Sequence, residues 1–480
     1  MDRFVETLTR ICAPDRVITN RHALQTYESD GLLQYRVMPR VVVLPDSAEE
    51  VRDVVRACHE AEIPWVARGS GTGLSGGAVP LEDGVLIGLS RMRRILHVDL
   101  DNQRVKVEPG VLNAEVSRAV APDLVYPPDP SSQIVCSIGG NVAENSGGAH
   151  CFKHGFTTNY VTGLEVVLSD GEVVRLGGAE LDRPSYDLVG AFVGSEGTLG
   201  VATKITVRVV PKPEAWRTLV AYFDSTDQAG QAVSDIVSAG IVPGAIEMMD
   251  RLSIQACEAA THAGYPLDVG AALIVELDGP AVECEARFED VVGICEKAGA
   301  TATRVARDEA ERELIWKARK AAFAAMGRIS PDYYVQDGVI PRTRLPEVLR
   351  RIDELSAEFG LRVANVFHAG DGNLHPLVCY DASQGEAEKA EELAARILDV
   401  CLEAGGSITG EHGVGIDKKK HMTKMFTEPD LDAFQRLRCA FDPGQLANRG
   451  KVMPTPRLCG EVPGPYRQHP LERAGVAERF

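Results

Sequence analysis

The pattern of apolar and polar positions sharpens at residue 40 and predicts a β-α-β unit there. A β-branched run over 40–44 and a second apolar run over 63–67 predict two strands. Between them, Ser47 and Glu50 form a capping box that begins a helix over 48–61. The apolar residues of this helix keep helical spacing, at Val51, Val54, Val55 and Cys58. The unit ends in a glycine-rich loop.

Short strands continue this first region until a pair of prolines. The predicted strands cover 85–89, 105–108, 164–168, 173–176 and 205–210. Pro211 and Pro213 then break the pattern, and beyond them strands alternate with alanine- and glutamate-rich helices, which is typical of an α+β domain. We therefore expect a first domain over 1–213, a second over 214–453, and a proline- and glycine-containing extension over 454–480.

Composition narrows the classes of function. The formal net charge of −18 disfavours binding to nucleic acid, because phosphate binding needs clustered Lys and Arg. An anionic substrate would need a locally positive pocket on this acidic protein. No apolar run reaches the roughly 18 residues of a membrane-spanning helix, and the N-terminus lacks the apolar core of a signal peptide. The cysteines form no C-x-x-C pair, which indicates reduced thiols in a cytoplasmic protein and argues against a resident iron–sulfur cluster.

The first glycine loop reads RGSGTGLSGG over 68–77 and contains a literal G-x-G-x-x-G. In a nicotinamide dinucleotide-binding unit the third glycine leads into a helix. Here the following residues include Pro80 and Gly84 and cannot form one, so the nicotinamide interpretation is rejected. The loop can still bind phosphate, because backbone N–H groups in left-handed or turn conformations form an anion-binding nest.

Two more glycine clusters follow in the same region. They cover 137–148 and 194–200, and a stiff, proline-rich segment over 126–132 precedes the first of them. An ordinary tight turn is the simplest explanation of any single loop of this kind. Three such loops with polar partners in one apparent domain favour a large diphosphate cofactor, which needs several close backbone approaches.

A pair of histidines forms the sharpest local motif of the chain. An apolar strand over 363–367 delivers His368, and a Gly-Asp-Gly turn brings His375 back to the same side. Farther on, a glycine-flanked segment offers Glu411 and His412. Two imidazoles and a carboxylate suit zinc or another borderline divalent metal and leave one coordination position open. The alternative is a set of satisfied polar residues near turns.

These motifs carry a family resemblance. The glycine loops resemble the FAD-binding domain of vanillyl-alcohol-oxidase-type flavoproteins. The second region resembles the C-terminal domain of FAD-linked 2-hydroxy-acid oxidases and dehydrogenases, most closely the glycolate oxidase type, through LIWKARKAAF, GRISPDYY, DGVIP, ANVFHAGDGN and GEHGVG. The resemblance spans about residues 20–455. It implies an α+β fold with an N-terminal FAD-binding domain and a C-terminal domain that caps it and binds the substrate and metal.

The resemblance also implies how FAD is held. The first loop would hold the pyrophosphate, and the later two the isoalloxazine, ribityl and adenine portions. Some relatives tether FAD through a histidine in or near these loops; residues 68–80 contain none, so we expect non-covalent FAD. The residues expected to contact FAD are Arg68, Gly69, Ser70, Gly71, Thr72, Gly73, Leu74, Gly77, Pro130, Ser131, Ser137, Gly140, Asn141, Asn145, Gly147, Gly148, Glu196, Gly197, Ile205 and Asn448.

The resemblance assigns roles in the second region as well. The metal ligands of relatives correspond to His368, His375 and Glu411, for which we expect zinc, with manganese or iron as alternatives. The next histidine, His412, is the implied proton acceptor. The arginine that holds the substrate carboxylate in the family corresponds to Arg319. Arg319 lies in a helix predicted over 308–326, and its position there is equally consistent with a snorkelling arginine at the edge of an apolar arc.

Three departures from the family pattern bear on specificity and on the FAD site. Relatives that act on 2-hydroxyglutarate carry Asn and Thr at the positions of Leu377 and Phe323, and both changes remove partners for a second carboxylate. We therefore expect a small monocarboxylic acid, glycolate or D-lactate. The family's N-P-G-K reads N-R-G-K over 448–451, and we expect the missing proline to loosen that turn.

The expected reaction transfers the α-hydrogen of the 2-hydroxy acid to the flavin as hydride. We expect the electrons to pass to an iron–sulfur subunit, beside a second flavin-binding subunit of a glycolate oxidase complex, or to a quinone. Such partners would place the chain at the inner face of the membrane. Two alternatives remain: a D-lactate dehydrogenase of the same family, and a non-catalytic flavin-binding subunit, which should lack the histidine and glutamate constellation.

Overall fold

The computed structural model describes residues 3–180 and 186–454, so the expected extension lies outside the described residues beyond its first position. The strands of the first region are β1 Val17–Ile18, β2 Val41–Val43, β3 Trp65–Arg68, β4 Val85–Gly88, β5 Ile95–Asp99, β6 Arg104–Val107, β7 Leu124–Val125, β8 Val161–Val167, β9 Val173–Gly177, β10 Val201–Arg208 and β11 Val210–Pro211. Its helices are α1 Arg3–Ile11, α2 Arg21–Leu24, α3 Ala48–Glu60, α4 Asn113–Val120, α5 Ile138–Glu144, α6 Cys151–His154 and α7 Leu188–Phe192.

Two main sheets build the first region. A four-stranded sheet has the order β1-β2-β4-β3, in which β2, β4 and β3 are parallel, so the predicted β-α-β unit is confirmed. The Ser47 hydroxyl caps α3 by accepting from the Glu50 N–H, but the Glu50 carboxylate accepts from the Asp46 N–H instead of completing the box. A five-stranded antiparallel sheet with the order β5-β6-β10-β8-β9 contributes its inward-facing residues to a separate hydrophobic core.

The second glycine cluster differs from the expected loop, because it contains helix α5. The Ser137 hydroxyl accepts from the Gly140 N–H and caps its N-terminus. Asn145 ends it in a left-handed conformation, with φ of 52°. Both caps satisfy backbone groups at the helix ends and thereby compensate for the low helix propensity of the two glycines inside it.

The second region is one large sheet with helices on both faces. Its strands are β12 Ala215–Phe223, β13 Ala245–Asp250, β14 Ala271–Gly279, β15 Ala302–Val305, β16 Asp332–Val335, β17 Gly338–Val339, β18 Val363–His368, β19 Asn373–Leu374 and β20 Pro376–Tyr380. Its helices are α8 Thr226–Ser238, α9 Arg251–Thr261, α10 Ala281–Lys297, α11 Glu309–Lys320, α12 Ala322–Met326, α13 Leu345–Phe359, α14 Ala387–Glu403, α15 Met422–Met425 and α16 Glu428–Phe441.

The sheet of the second region positions the histidines. Its main path has the order β15-β12-β14-β13-β18-β19-β17, with β20 pairing β18 and β16. Alternate residues of β18 enter two different cores: Phe367 packs on one face, and Ala364 and Val366 pack on the other. This two-residue alternation puts His368, the last residue of β18, on the face of Ala364 and Val366.

Two expectations drawn from the composition concern the state of the cysteines and membrane-spanning helices. Nine cysteines are free and buried in the described residues, as expected of reduced thiols, whereas Cys439 is disulfide-bonded. Among the described helices, none combines the length and apolar character needed to cross a membrane.

A buried charge network joins the two regions. In the first region, the ring Nδ1 of His150 lies 2.9 Å from Asp129 Oδ2, and its Nε2 lies 3.2 Å from Oε1 of Glu276 in the second. The Lys320 ammonium, also from the second region, lies 3.2 Å from Asp129. Burial alone would lower the pKa of His150, but the two carboxylates outweigh it and raise the pKa to about 10. His150 is therefore an imidazolium held between two carboxylates at neutral pH.

We expect His150→Gln to lower the free energy of unfolding by about 3 kcal/mol near pH 6, because it removes one partner of a buried charge network. A raised folded-state pKa gives stability that is complete below the unfolded value near 6.5 and is lost as pH rises through about 10. Urea unfolding between pH 6 and 10.5 should show the gap between the two proteins closing. Exposed His97→Gln is the control, and a pH-independent gap would contradict the prediction.

Candidate active site

A cavity of about 890 Å³ lies between the two regions and gathers the three glycine clusters. The first loop lines it along one side, with the left-handed Gly71 at its centre. A side chain at Gly69 would come within 2.3 Å of the Ser137 hydroxyl, so the first two clusters touch each other. Fifteen of the predicted FAD contacts line the cavity: Arg68, Gly69, Ser70, Gly71, Thr72, Gly73, Leu74, Gly77, Pro130, Ser131, Ser137, Gly140, Asn141, Glu196 and Gly197.

Five of the predicted FAD contacts do not line the cavity. Ile205 is fully buried in the core of the five-stranded sheet, because its strand position points inward. Asn145 caps α5, and its carboxamide oxygen accepts from the Thr158 N–H. Asn448 is 1% exposed, and its amide donates to the carbonyls of Gly77 and Glu196. Asn448 therefore ties the first loop to the third rather than facing the cavity.

At the remaining two positions, Gly147 and Gly148, glycine is required because neighbouring atoms approach the backbone closely. A Cβ at Gly147 would lie 2.6 Å from Oε2 of Glu411, and one at Gly148 would lie 2.5 Å from the Asp129 backbone. The second cluster therefore touches the carboxylate of the second region directly. In the N-R-G-K turn, Lys451 donates to the carbonyls of Gly77 and Val79 and so ties the turn to the first loop.

The three predicted metal ligands converge at the wall of this cavity. Oε1 of Glu411 lies 3.2 Å from Nε2 of His368 and 3.1 Å from Nε2 of His375. The two imidazoles meet edge to face, with ring centroids 5.1 Å apart. One ligand atom from each side chain lies within 4.8 Å of the other two. Glu411 lines the cavity, whereas both histidines are buried behind it.

A buried carboxylate that sequence reasoning missed stands behind His368. Glu247, on β13, is paired in register with His368 on β18, and its Oε1 lies 2.7 Å from Nδ1 of that histidine. Its other oxygen lies 2.6 Å from Nη2 of Arg319. Burial favours the neutral imidazole, but Glu247 and Glu411 raise the pKa of His368 well above its usual value. A carboxylate behind the ring fixes its tautomer and orientation, as in metal sites.

A second carboxylate, Asp337, organises residues 409–415, which we name the EHG segment. One oxygen of Asp337 accepts from the Thr409 hydroxyl at 2.6 Å and from the N–H groups of Gly410 and His412 at 3.0 and 2.9 Å. Lys418 lies 3.3 Å from the same oxygen. Asp337, His375 and His412 also lie close enough to hold a cation. Oδ2 of Asp337 already accepts from three donors of this segment, so we assign the carboxylate to the loop and not to a metal.

His412 follows Glu411 and faces the cavity. Its ring stacks on that of His375, with centroids 4.8 Å apart and planes within 11°. Burial lowers the pKa of His412 to about 4, so the imidazole is neutral at neutral pH. Its Nδ1 is buried and makes no hydrogen bond with the described residues. A neutral ring at the cavity wall can accept a proton.

Comparisons with known proteins agree with this arrangement. Residues 39–177 match the FAD binding domain family, and residues 212–452 match the family described as FAD linked oxidases, C-terminal domain. The glycolate oxidase subunit GlcD of Escherichia coli K12 is 52% identical over 456 residues, covering 95% of this chain and 91% of that protein. The chain belongs to the FAD-linked oxidases.

Other members and structures extend the comparison. The D-lactate dehydrogenase of Anaerostipes hadrus is 33% identical over 455 residues, which cover 92% of this FAD-linked oxidase and 95% of that enzyme. The structure of 4-ethylphenol oxidase from Gulosibacter chungangensis superimposes with a TM-score of 0.79 at 18% identity, covering 95% of this chain and 97% of that one. This last likeness concerns the fold alone, and it confirms the predicted two-domain α+β architecture.

Arg319 takes a position in this FAD-linked oxidase that differs from the expected substrate anchor. It is 2% exposed, is ion-paired with Glu247, and is absent from the residues that line the cavity. Its Nη2 meets the Glu247 carboxylate as an ion pair without hydrogen-bond geometry, and its Nε lacks an acceptor among the described residues. Phe323, one turn farther along, lines the cavity and packs edge to face against His375. Leu377 is fully buried in the core of the sheet, so it does not shape the cavity directly.

Several cavity residues of the FAD-linked oxidase were not predicted. The N-terminal residues 31–36 form part of the cavity wall, although their sequence shows no regular period. Glu144, at the end of α5, and the aromatic pair Tyr333 and Tyr334 also line it. Tyr333 and Tyr334 lie in GRISPDYY, a segment that resembles the family but for which the sequence predicts no role.

Proposed function

We propose that this FAD-linked oxidase oxidises a small 2-hydroxy acid, such as glycolate, to the 2-oxo acid. The observation that carries the proposal is the convergence of His368, His375 and Glu411, with His412 beside them at the wall of the FAD cavity. The names of relatives support the same chemistry, since they include a glycolate oxidase subunit and a D-lactate dehydrogenase.

The donor set fits a divalent metal. Nε2 of buried His375 lies 3.1 Å from Oε1 of Glu411 without hydrogen-bond geometry, and a metal held between the two atoms would satisfy both. Two imidazoles and one carboxylate leave a coordination position open, as catalytic zinc sites require, and manganese or iron would accept the same ligands. Glu247 and Asp337 stand behind the cluster in the places where metal sites carry orienting carboxylates.

The glycine loops fit the cofactor. Backbone N–H groups exposed at Gly71 and its neighbours can approach a pyrophosphate without a side chain intervening. Arg68 lies against this loop and adds positive charge. When bound, FAD supplies the hydride acceptor and the metal supplies a Lewis acid.

The protein's own residues then divide the remaining tasks. His412 accepts the proton of the α-hydroxyl, as a neutral imidazole beside the cluster. Arg319 holds the substrate carboxylate through its guanidinium, whose Nε lacks an acceptor and whose Nη2 would exchange Glu247 for the substrate. This role requires its side chain to turn from Glu247 toward the cavity. Phe323 fills the space beside His375, which favours a substrate without a second carboxylate.

The reduced flavin must return its electrons to an acceptor. We propose an iron–sulfur subunit and a second flavin-binding subunit as partners in a glycolate oxidase complex, with a quinone as the alternative acceptor. The E. coli relative is named as a subunit, which supports an assembly of this kind. Such an assembly would hold the chain at the inner face of the membrane.

Anaerobic bleaching of the flavin by a panel of 2-hydroxy acids tests the proposed function. We expect glycolate and D-lactate to bleach it, and L-lactate and D-2-hydroxyglutarate to leave it oxidised. Bleaching by D-lactate alone would identify a D-lactate dehydrogenase. The panel is needed because the one methyl group that separates D-lactate from glycolate changes the discrimination between them by only about 1–3 kcal/mol. No bleaching by any of the four would favour the non-catalytic subunit.

A further inference from the structure

The EHG segment is anchored from both regions of the protein. On the side of the large sheet, Asp337 accepts hydrogen bonds from residues 409, 410 and 412. At the other end, Oε1 of Glu196 accepts from the Val414 N–H and Oε2 accepts from the Gly415 N–H, each at 2.7 Å. Glu411, the proposed metal ligand, lies within the first attachment, because its own N–H also donates to Asp337, and it is three residues before Val414.

Glu196 belongs to the third glycine cluster of the FAD-binding region. It lines the cavity yet is only 6% exposed, and it adopts a left-handed conformation with φ of 52°. Gly413 fits tightly against it, since a Cβ there would lie 2.9 Å from the Glu196 carboxyl carbon. A ligand that fixes the third cluster therefore fixes part of the EHG segment as well.

The glycines of the EHG segment give its backbone conformational freedom, which the hydrogen bonds to Asp337 and Glu196 restrict. Gly410 and Gly413 flank the Glu411–His412 pair, and Gly413 has φ of 83°. A flexible segment loses conformational entropy when it is ordered for metal binding. If FAD has already ordered it through Glu196, the metal orders less, and the affinity gain must be reciprocal.

We propose that Glu196 is a positioning residue that couples the FAD cavity to the metal cluster, so that each ligand binds more tightly when the other is present. The coupling rests on the proposed function, because it requires the cluster to hold a divalent metal. It adds a thermodynamic link between the two sites that is carried by the contacts of one side chain with Val414 and Gly415.

The test measures FAD release from the full-length flavoprotein. The dissociation constant of FAD is obtained from the rise in flavin fluorescence on dilution, first after chelator treatment and then after zinc is restored. In the wild type, zinc should lower this constant about fivefold or more. In Glu196→Gln the ratio should fall to about one while bound zinc, measured by elemental analysis, is retained. Exposed Glu60→Gln should keep the wild-type ratio.

Asp337→Asn provides a second route, since it weakens the other anchor and should also reduce the ratio, even if Glu196→Gln fails to fold. A wild-type ratio of one with zinc fully bound would overturn the coupling and leave the metal site standing. A wild-type ratio in Glu196→Gln would overturn the assignment to that residue. Failure of the wild-type protein to take up any metal would overturn both the metal site and the coupling.

Discussion

Replacing His412 with Asn should slow anaerobic reduction of the flavin by glycolate about a thousandfold, within the range measured for lost general bases. The imidazole is the cavity-facing ring beside the cluster, and burial keeps it neutral and able to accept a proton. An amide of similar size preserves the packing against His375 but cannot take the proton. Stopped-flow absorbance of the flavin measures the rate.

Two further readings separate catalysis from damage. The flavin spectrum and the zinc content of His412→Asn should match those of the wild type, because His412 lies outside the predicted ligand set. His59→Asn, on the exposed side of α3, should reduce the flavin at the wild-type rate. Unchanged reduction in His412→Asn would remove this histidine from the proposed mechanism.

The local parts of the site could be predicted because the chain itself brings them together. His368 follows a predicted strand, and a tight turn separates it from His375, seven positions farther on, so the sequence alone predicted that they meet. The three glycine clusters were likewise visible as loops that permit close backbone approach. Their convergence on one cavity depends on contacts between distant segments, and the sequence indicated it only through the expectation of one large diphosphate cofactor and through the family resemblance.

The partners behind the ligands could not be predicted in the same way. Glu247 meets His368 across the pairing of β13 with β18, and the two residues are 121 positions apart. A signal existed, since Glu247 interrupts the apolar run AIEMM over 245–249, where an unpaired carboxylate would be costly to bury. That signal indicates a partner but does not identify it. Arg319 illustrates the same limit, because its helical position predicted burial at an edge but not its pairing with Glu247.

Elements that depend on end effects were also predicted poorly. Helix α5 forms over two glycines because Ser137 and Asn145 cap it, and composition alone indicated a loop. A helix was expected over 308–326, and the structure instead divides it at Ala321 into α11 and α12. The break lies directly after Lys320 and just before Phe323, so it sets how the cavity-lining side chains of this stretch are presented.

Replacing Glu411 with Gln should abolish metal binding and slow flavin reduction by more than about a hundredfold, because Lewis-acid polarisation of the hydroxyl contributes several kcal/mol. The carboxylate lies between Nε2 of both histidines, and the amide would remove its negative charge at nearly constant volume. Elemental analysis and anaerobic stopped-flow measurements report the two quantities. Glu403→Gln, at the exposed end of α14, is the matched control.

The alternative is a metal-free ion-pair network, since Glu247 and Glu411 raise the pKa of His368 and so favour its protonated form. The two possibilities differ in how the wild type responds to a chelator. If a metal is required, chelation should reproduce the loss seen in Glu411→Gln, and added zinc should restore the wild type but not the variant. If the network is purely ionic, the purified wild type will contain no metal and chelation will leave flavin reduction unchanged. The three-residue geometry favours the metal, because a ligand set of two imidazoles and one carboxylate leaves the open position that the hydroxyl of the substrate needs.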